Sequence, residues 1–384
     1  MKHFRRHALA CLFSTFVIAG LVGVAPSAAA YDDDEDVDED APRGTLVFTS
    51  SNEAAGNQLL IYSRGPGGGL ATVGRVASGG LGAGKGLGSQ GAVTLSRNGR
   101  YLFLVNANSN SISTFRVGAG SARLTSTVDS AGLHPISVTE ADGLVYVLND
   151  GGAGNVAGFR NVRGVLHAVP GSVRGLSASG GTGPAQVGFS EEADALVVTE
   201  KATNKITSYA VAGNGSIGAP IITPSPGQTP FGFAFNRKNR LIVSEAWGGA
   251  SGASTLSSYR FSESAPALPL PTSQSVPDTQ TAACWVAVTP DGRYAYTTNT
   301  GSGTVSSYKV RRDGSVTLLD AVAGSTGSGS APIDATSSSD GRSLFVLSGT
   351  TSTITSFRVA SDGSLMINAV LPGLPGSAVG LASN

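Results

Sequence analysis

Two glycine-rich patterns overlap in GGLGAGKGLGSQG, Gly79 to Gly91. Gly79-x4-Gly84-Lys85 reads as the opening of a phosphate-binding loop, and Gly86-x-Gly88-x-x-Gly91 as a dinucleotide fingerprint. Both chemistries need a strand before the loop and a helix after it. The helix N-terminus supplies the amides and the positive dipole end that hold phosphate. The residue after Lys85 is Gly86, where Ser or Thr would have to hold magnesium. That leaves a plain connecting segment, or a cradle in which glycine amides and Lys85 receive a carboxylate. Of the four histidines, His3 and His7 lie in the first thirty residues and His167 falls on an outer strand of a repeating unit, so His134 is the candidate for proton transfer. The other reactive side chains are the carboxylates Glu200, Glu245 and Asp334, the lysines Lys201 and Lys205, and the thiol of Cys284.

The elements that must position them repeat. YLFLVNANSNSISTFRV (101–117), AYTTNTGSGTVSSYKV (295–310) and LFVLSGTTSTITSFRV (344–359) are copies of one unit. Each copy is a β-rich strand, a Gly/Asn/Ser turn and a second strand ending in an aromatic. Weaker copies bring the aromatics to seven: Tyr62, Phe115, Phe159, Tyr209, Tyr259, Tyr308 and Phe357. A spacing near 49 residues, with room for four strands, is the signature of a β-propeller. Short apolar strands precede the copies, for example PAQVGFS (184–190), CWVAVT (284–289) and PIDATS (332–337). These are the innermost strands, A, and the copies supply B and C. The chain begins with B and C and ends on SAVGLAS (377–383), an A strand without partners. The sequence therefore predicts an all-β, seven-bladed propeller of four-stranded blades over 44–384, closed when the C-terminal strand completes the first blade. Closure removes the sticky sheet edges. No helix is needed.

The ends set the context. Lys2, Arg5 and Arg6 precede an apolar run from Ala8 to Val24, and Ala28 to Ala30 form a small-residue cleavage site. Residues 1–30 thus read as a secretory signal, and an exported protein of the periplasm or the medium is expected. No later stretch is long and apolar enough to span a membrane. Asp32 to Asp40, DDDEDVDED, makes 31–43 an acidic disordered linker. Outside it the body is mildly basic, which gives no argument for nucleic acid. Once Cys11 leaves with the signal, Cys284 has no disulfide partner.

In such a fold the D-to-A connections and B-to-C turns share one face, and the A-to-B and C-to-D turns share the other. The first set is longer and more varied, so the site is expected there, where loops converge on a rigid frame. The ends of the B strands place Ser50, Asn106, Asn149, Glu200, Glu245, Asn299 and Ser348 near that rim. Each of these residues has a second reading as a turn cap. Gln90, His134, Ser137, Gln186 and Asp334 open the A strands nearer the axis. Cys284 reads as core, and Trp247 and Trp285 as an apolar wall or as core.

The run WVAVTPDGRYAYTTNTGSGTVSSYKV (285–310) resembles the lactonase family of seven-bladed propellers. That family includes propeller-type 6-phosphogluconolactonases and 3-carboxymuconate lactonizing enzymes (cyclases), and the resemblance runs from about 44 to 384. It implies action on lactones of small acids, with no metal or cofactor, through His, Arg and Glu residues round the mouth. His134 falls where the family has its histidine, and Glu200, in TEKATNK, where it has its glutamate. The family's arginine after Gly-Pro is Ala185 here, followed by Gln186.

The resemblance implies a lactone hydrolase or cyclase in which His134 or Glu200 moves the proton. Lys85, Lys201, Lys205, Gln90, Gln186, Glu245, Asn106, Asn149 and Asn299 would contact a lactone or organic acid. The alternative is a non-catalytic propeller that binds a ligand, a glycan or a protein partner through the same face. A monomer is expected.

Overall fold

The computed structural model describes residues 44–263 and 265–384. The expected signal and acidic linker lie outside the described residues.

Seven antiparallel sheets form the body, six of four strands and one of five. Blade 1 runs outward from Val379–Ser383 through Leu46–Ser50 and Gln58–Arg64 to Leu70–Ala77. The C-terminal strand therefore closes the first blade, as the sequence predicted. It pairs Phe48 with Ala382 and Val47 with Ser383. The seam is locked by Leu46 N–H on Asn384 Oδ1 at 2.6 Å. It is packed by Val47, Leu60 and Tyr62 against Phe345, Leu347 and Ile354 of blade 7. Each fully buried side chain of this size contributes ~1.5–3 kcal/mol, so apolar contact between the blades outweighs any single polar clasp at the seam.

The same logic repeats round the ring. The seven repeat aromatics are all buried. They fill clusters between neighbouring blades, as where Val197 and Ile206 of blade 4 meet Phe233, Leu241 and Tyr259 of blade 5. The B strands are therefore buried on both faces, as in LFVLS within Ser343–Ser348. The outer strands are half-buried or exposed along their length, as in LATVGRVA. The inner strands open blades 2 to 7 at Val93–Leu95, Pro135–Ala141, Pro184–Phe189, Pro230–Asn236, Ala283–Val288 and Pro332–Ser337. Two details depart from the expectation. Single 3-10 turns occur at Ala107–Ser109 and Trp247–Gly249, where sequence reasoning allowed no helix. The outer edge of blade 3 is split into Val165–Ala168 and Arg174–Gly175, and Pro170 lies between the two pieces.

Candidate functional site

The glycine-rich stretch leaves the outer strand of blade 1 and crosses the channel mouth. Glycine is required where it lies on other backbone. A Cβ on Gly82 would stand 2.2 Å from the Asn52 carbonyl carbon, and one on Gly80 2.4 Å from Asn106 Cγ. Asn52 holds the crossing through Ala83 N–H at 2.8 Å and the Lys85 carbonyl at 2.7 Å. Leu87 then packs on the clusters of blades 2, 3 and 4. Ser89 and Gln90 go deeper. Trp285 Nε1, from blade 6, donates to the Ser89 carbonyl at 3.0 Å. The Gln90 side chain both donates to the Val286 carbonyl (2.8 Å) and accepts from its N–H (3.1 Å). Gln90 N–H also reaches the Ala185 carbonyl at 3.0 Å. The stretch is a strap that ties blade 2 to blades 4 and 6 and stops the channel at its loop end. No helix follows it, so neither nucleotide motif has its context.

The B-strand ends, expected on an open rim, are buried inside the blades at 0–2 % exposure. Both Glu200 oxygens are taken, by Ser177 N–H (2.9 Å), the Ser177 hydroxyl, Thr203 Oγ1 (2.7 Å) and Thr207 Oγ1 (2.6 Å). Glu245 receives Gly227 N–H at 3.0 Å and the hydroxyls of Ser225, Thr255, Ser257 and Ser275. Asn106 Nδ2 donates to Ser111 and Ser113, and Asn299 Nδ2 to Thr304 and Ser306. Asn149 bonds the Ser130 carbonyl and Asn155. These residues latch the B strand to its own C strand and, at Glu200 and Glu245, to the connection that follows or precedes the blade. A buried carboxylate survives because so many donors surround it.

Strand alternation puts the mouth ring one residue later. In blades 3 to 7 the residue after the B-strand end donates its N–H to the carbonyl of the residue before the A strand: Asp150 to His134, Lys201 to Gly183, Ala246 to Thr229, Thr300 to Ala282 and Gly349 to Ala331. Each of those acceptors has a positive φ, +55° at His134. The left-handed backbone of His134 is therefore a feature of the repeat, shared with Thr229 and the alanines. The signal available in the sequence was the alternation itself, read one position too early.

In blades 3 and 4 this ring carries charge. Lys201 Nζ reaches the Gly88 carbonyl of the strap at 2.5 Å and lies 4.7 Å from the centre of the Phe231 ring. Burial lowers its pKa, and the charge of Asp150 partly restores it. Phe231, Trp285, Cys284, Ala246 and Ala185 form the apolar floor beside it. Phe231 and Trp285 lie 4.9 Å apart between ring centres. Burial pushes the Cys284 thiol up to about 11, so it belongs to that floor and is no nucleophile at neutral pH. His134 is half-buried, with its N–H held by Asn110 Oδ1 at 2.8 Å. Its imidazole makes no hydrogen bond among the described residues. The loop face thus sets Asp150 within electrostatic reach of Lys201 beside an apolar floor, with His134 tied to Asp150 through its backbone carbonyl and Lys85 exposed on the strap.

Other candidates lie elsewhere. Gln186 clasps Phe233 of blade 5 through both amide atoms, at 2.9 and 2.7 Å. Lys205 pairs across the strands with Glu200. Trp247 Nε1 is bonded to Thr255 Oγ1 at 2.8 Å. Below the strap the channel remains open as a cavity of about 320 Å³, lined by Gln90, Gln186, Thr94, Asp334 and Ser337 among others. Among the described residues no three His, Cys, Asp or Glu side chains are grouped to hold a metal, and no helix is long and apolar enough to cross a membrane.

Residues 243–339 match the family described as Lactonase, 7-bladed beta-propeller. No curated protein matches the sequence. Solved structures share the fold over most of the chain. A protein from Lactobacillus plantarum is 16% identical, over 89% of this chain and 99% of that one, with a TM-score of 0.71. The periplasmic gluconolactonase of Pseudomonas aeruginosa is 17% identical, over 88% of this chain and 98% of that one, with a TM-score of 0.68. A functionally unknown protein from Desulfotomaculum acetoxidans is 10% identical, over 88% and 98%, with a TM-score of 0.68. At these identities the likeness is one of fold. The lactonase-type propeller resemblance is thereby met, in sequence over one segment and in architecture over the body.

Proposed function

We propose that this chain is an exported lactonase-type propeller that opens the lactone of a small acid on its loop face. The observation that carries the reading is Asp150, whose backbone N–H bonds the His134 carbonyl and whose charge acts on Lys201 of the neighbouring blade. His134 would take a proton from water, and the water would attack the ring carbonyl. Lys201, at the edge of an apolar floor, would stabilise the oxygen as it gains charge; collapse of the intermediate would break the ring C–O bond, His134 would return its proton to the leaving oxygen, and the hydroxy acid would be released. The Glu200 carboxylate is fully engaged inside the blade. Its part would be to fix the strand end from which Lys201 projects.

The position of the family arginine is Ala185, buried in the floor. No bidentate clamp for a phosphate stands there, which favours unphosphorylated lactones such as gluconolactone. Purified protein is expected to hydrolyse an aldonolactone in a pH-stat assay. His134→Ala and Lys201→Met should each lower kcat/KM ~100-fold, with Tm unchanged for the first and lowered slightly for the second, which loses the tie to Gly88. Wild-type rates for those variants would end this assignment.

The strap that stops the channel favours a second reading, a propeller that binds without turnover. Saturable binding of an aldonolactone by calorimetry, with no hydrolysis, supports it over the first. Export is checked separately: fractionation of the native host should find the chain, cut after Ala30, outside the cytoplasm.

A further inference from the structure

The face opposite the strap carries a cluster of cations that the lactone reading does not use. The A-to-B turns of blades 5 and 6 and the C-to-D turn of blade 6 enclose a cleft of about 750 Å³. Arg237, Lys238, Lys309, Arg311 and Arg312 line it, all exposed. A smaller cleft of about 440 Å³ shares Arg237 and Arg293 with it and adds Arg342. The acids nearby are already engaged. Asp291 is paired with Arg293 at 2.6 Å and accepts Thr289 Oγ1 at the same distance. Asp313 accepts the N–H and hydroxyl of Ser315. Among the described residues, Arg237, Lys238, Lys309 and Arg312 have no ion-pair partner, and Arg311 is opposed only through the charge of Asp313. Gathered round one cleft, these charges act together even where salt screens beyond ~8 Å.

The lining narrows the choice of ligand. No exposed large hydrophobic residue borders the cleft, so it lacks the apolar contact a lipid surface or a docked peptide would use. Its one aromatic, Tyr294, is 8% exposed, with Arg293 packed over the ring, so there is no platform for stacking bases. Spaced cations on a polar, open groove fit anionic groups spaced along a polar chain. We infer that the cleft between blades 5 and 6 is a binding site for an anionic polysaccharide, one that carries carboxylate or sulfate groups.

The test uses the full chain, with oligogalacturonate and heparin fragments as probes. Binding should weaken with salt, as counterion release requires. Arg311→Glu with Arg312→Glu should weaken it at least ~tenfold and flatten the salt dependence. Arg116→Glu with Arg123→Glu makes the same charge change at exposed positions of the two outer strands of blade 2, and should leave binding within about twofold. Equal losses in the two double variants would show attraction to net charge alone and overturn the site. So would no binding of either probe. Cleft-dependent binding of oligo-dT, polyglutamate or phosphatidylglycerol vesicles as tight as that of the glycans would overturn the ligand class. Lactone hydrolysis should be unchanged in both variants, which keeps this result separate from that of the loop face.

Discussion

The two ends of this propeller are built from the same seven repeats and spend their charges differently. At the loop end, two of the carboxylates, Glu200 and Glu245, are drawn into the blades and surrounded by donors. The channel there is stopped by a strap, and one lysine is held over an aromatic ring. At the turn end, the charges stand in solvent on tight turns and the channel stays open beneath Gln90. The difference follows from loop length. The long D-to-A connections bring backbone amides and hydroxyls that can satisfy a buried acid. The two- to five-residue A-to-B turns bring fewer donors, as at Glu140, which is held by the amides of Arg97 and Gly143. The carboxylates at the loop end therefore hold the structure and leave His134, Lys201 and Lys85 to meet a ligand there, while the cations at the turn end stand free in solvent.

The sharpest way to break this contrast is Glu200→Ala. It strands a buried N–H and three hydroxyls at once, so a loss of ~3 kcal/mol or more is expected in urea unfolding. Glu200→Gln keeps one acceptor oxygen and should lose about half as much. Were Glu200→Ala to fold as stably as the parent and lose only turnover, the carboxylate would be catalytic and the contrast would fail at its strongest point.

A middle-sized effect is expected in the channel, between the two ends. Asp334 is 1% exposed, Oδ1 accepts Ala335 N–H at 2.8 Å, and Oδ2 has no partner. Burial raises its pKa well above the ordinary carboxylate range, with the Ala335 and Leu381 amides opposing. The folded state thus holds a proton that the unfolded chain releases near pH 4. A raised carboxyl pKa contributes stability that is complete below the unfolded value and is lost as pH rises towards the folded one. Asp334→Asn does not titrate. Its Tm should therefore gain on the parent steadily from pH 4 to pH 8. A gap that stays constant or shrinks over that range would mean that the channel, like the loop end, satisfies its carboxylate.

Most of the architecture was legible because the repeat is local. Each aromatic, each A strand beginning in Pro and each Asp-Gly turn marks one blade in sequence, and the unpaired last strand announces the closure. The mouth was legible only in part. His134 and Lys201 were singled out by type and position, and the structure puts both on the loop face. The burial of Glu200, Asn106 and Asn299 was not, because the partners that hold them, such as Ser177, are residues with no signature of their own. The role of Gly79 to Gly91 was hidden for the same reason. Its contacts with Val286 and Trp285 lie almost two hundred positions away, and a glycine shows what backbone it touches only when the chain is folded.

The smallest expected effect tests the turn end directly. Arg64 of blade 1 bridges the closing seam to Asp340 of blade 7 at 2.8 Å and to Ser343 Oγ at 2.5 Å. The two charged side chains are 20% and 37% exposed. Their attraction is screened, and holding a long side chain costs entropy, so Arg64→Gln should cost no more than ~0.5–1 kcal/mol. The difference from the parent should fade in 0.5 M salt. If solvated charges at this end are instead structural, as the buried ones are at the other, the loss would exceed 2 kcal/mol and persist in salt. The seam's apolar contacts, Val47 and Leu60 against Phe345 and Leu347, argue for the smaller value, since they already hold the two blades together without it.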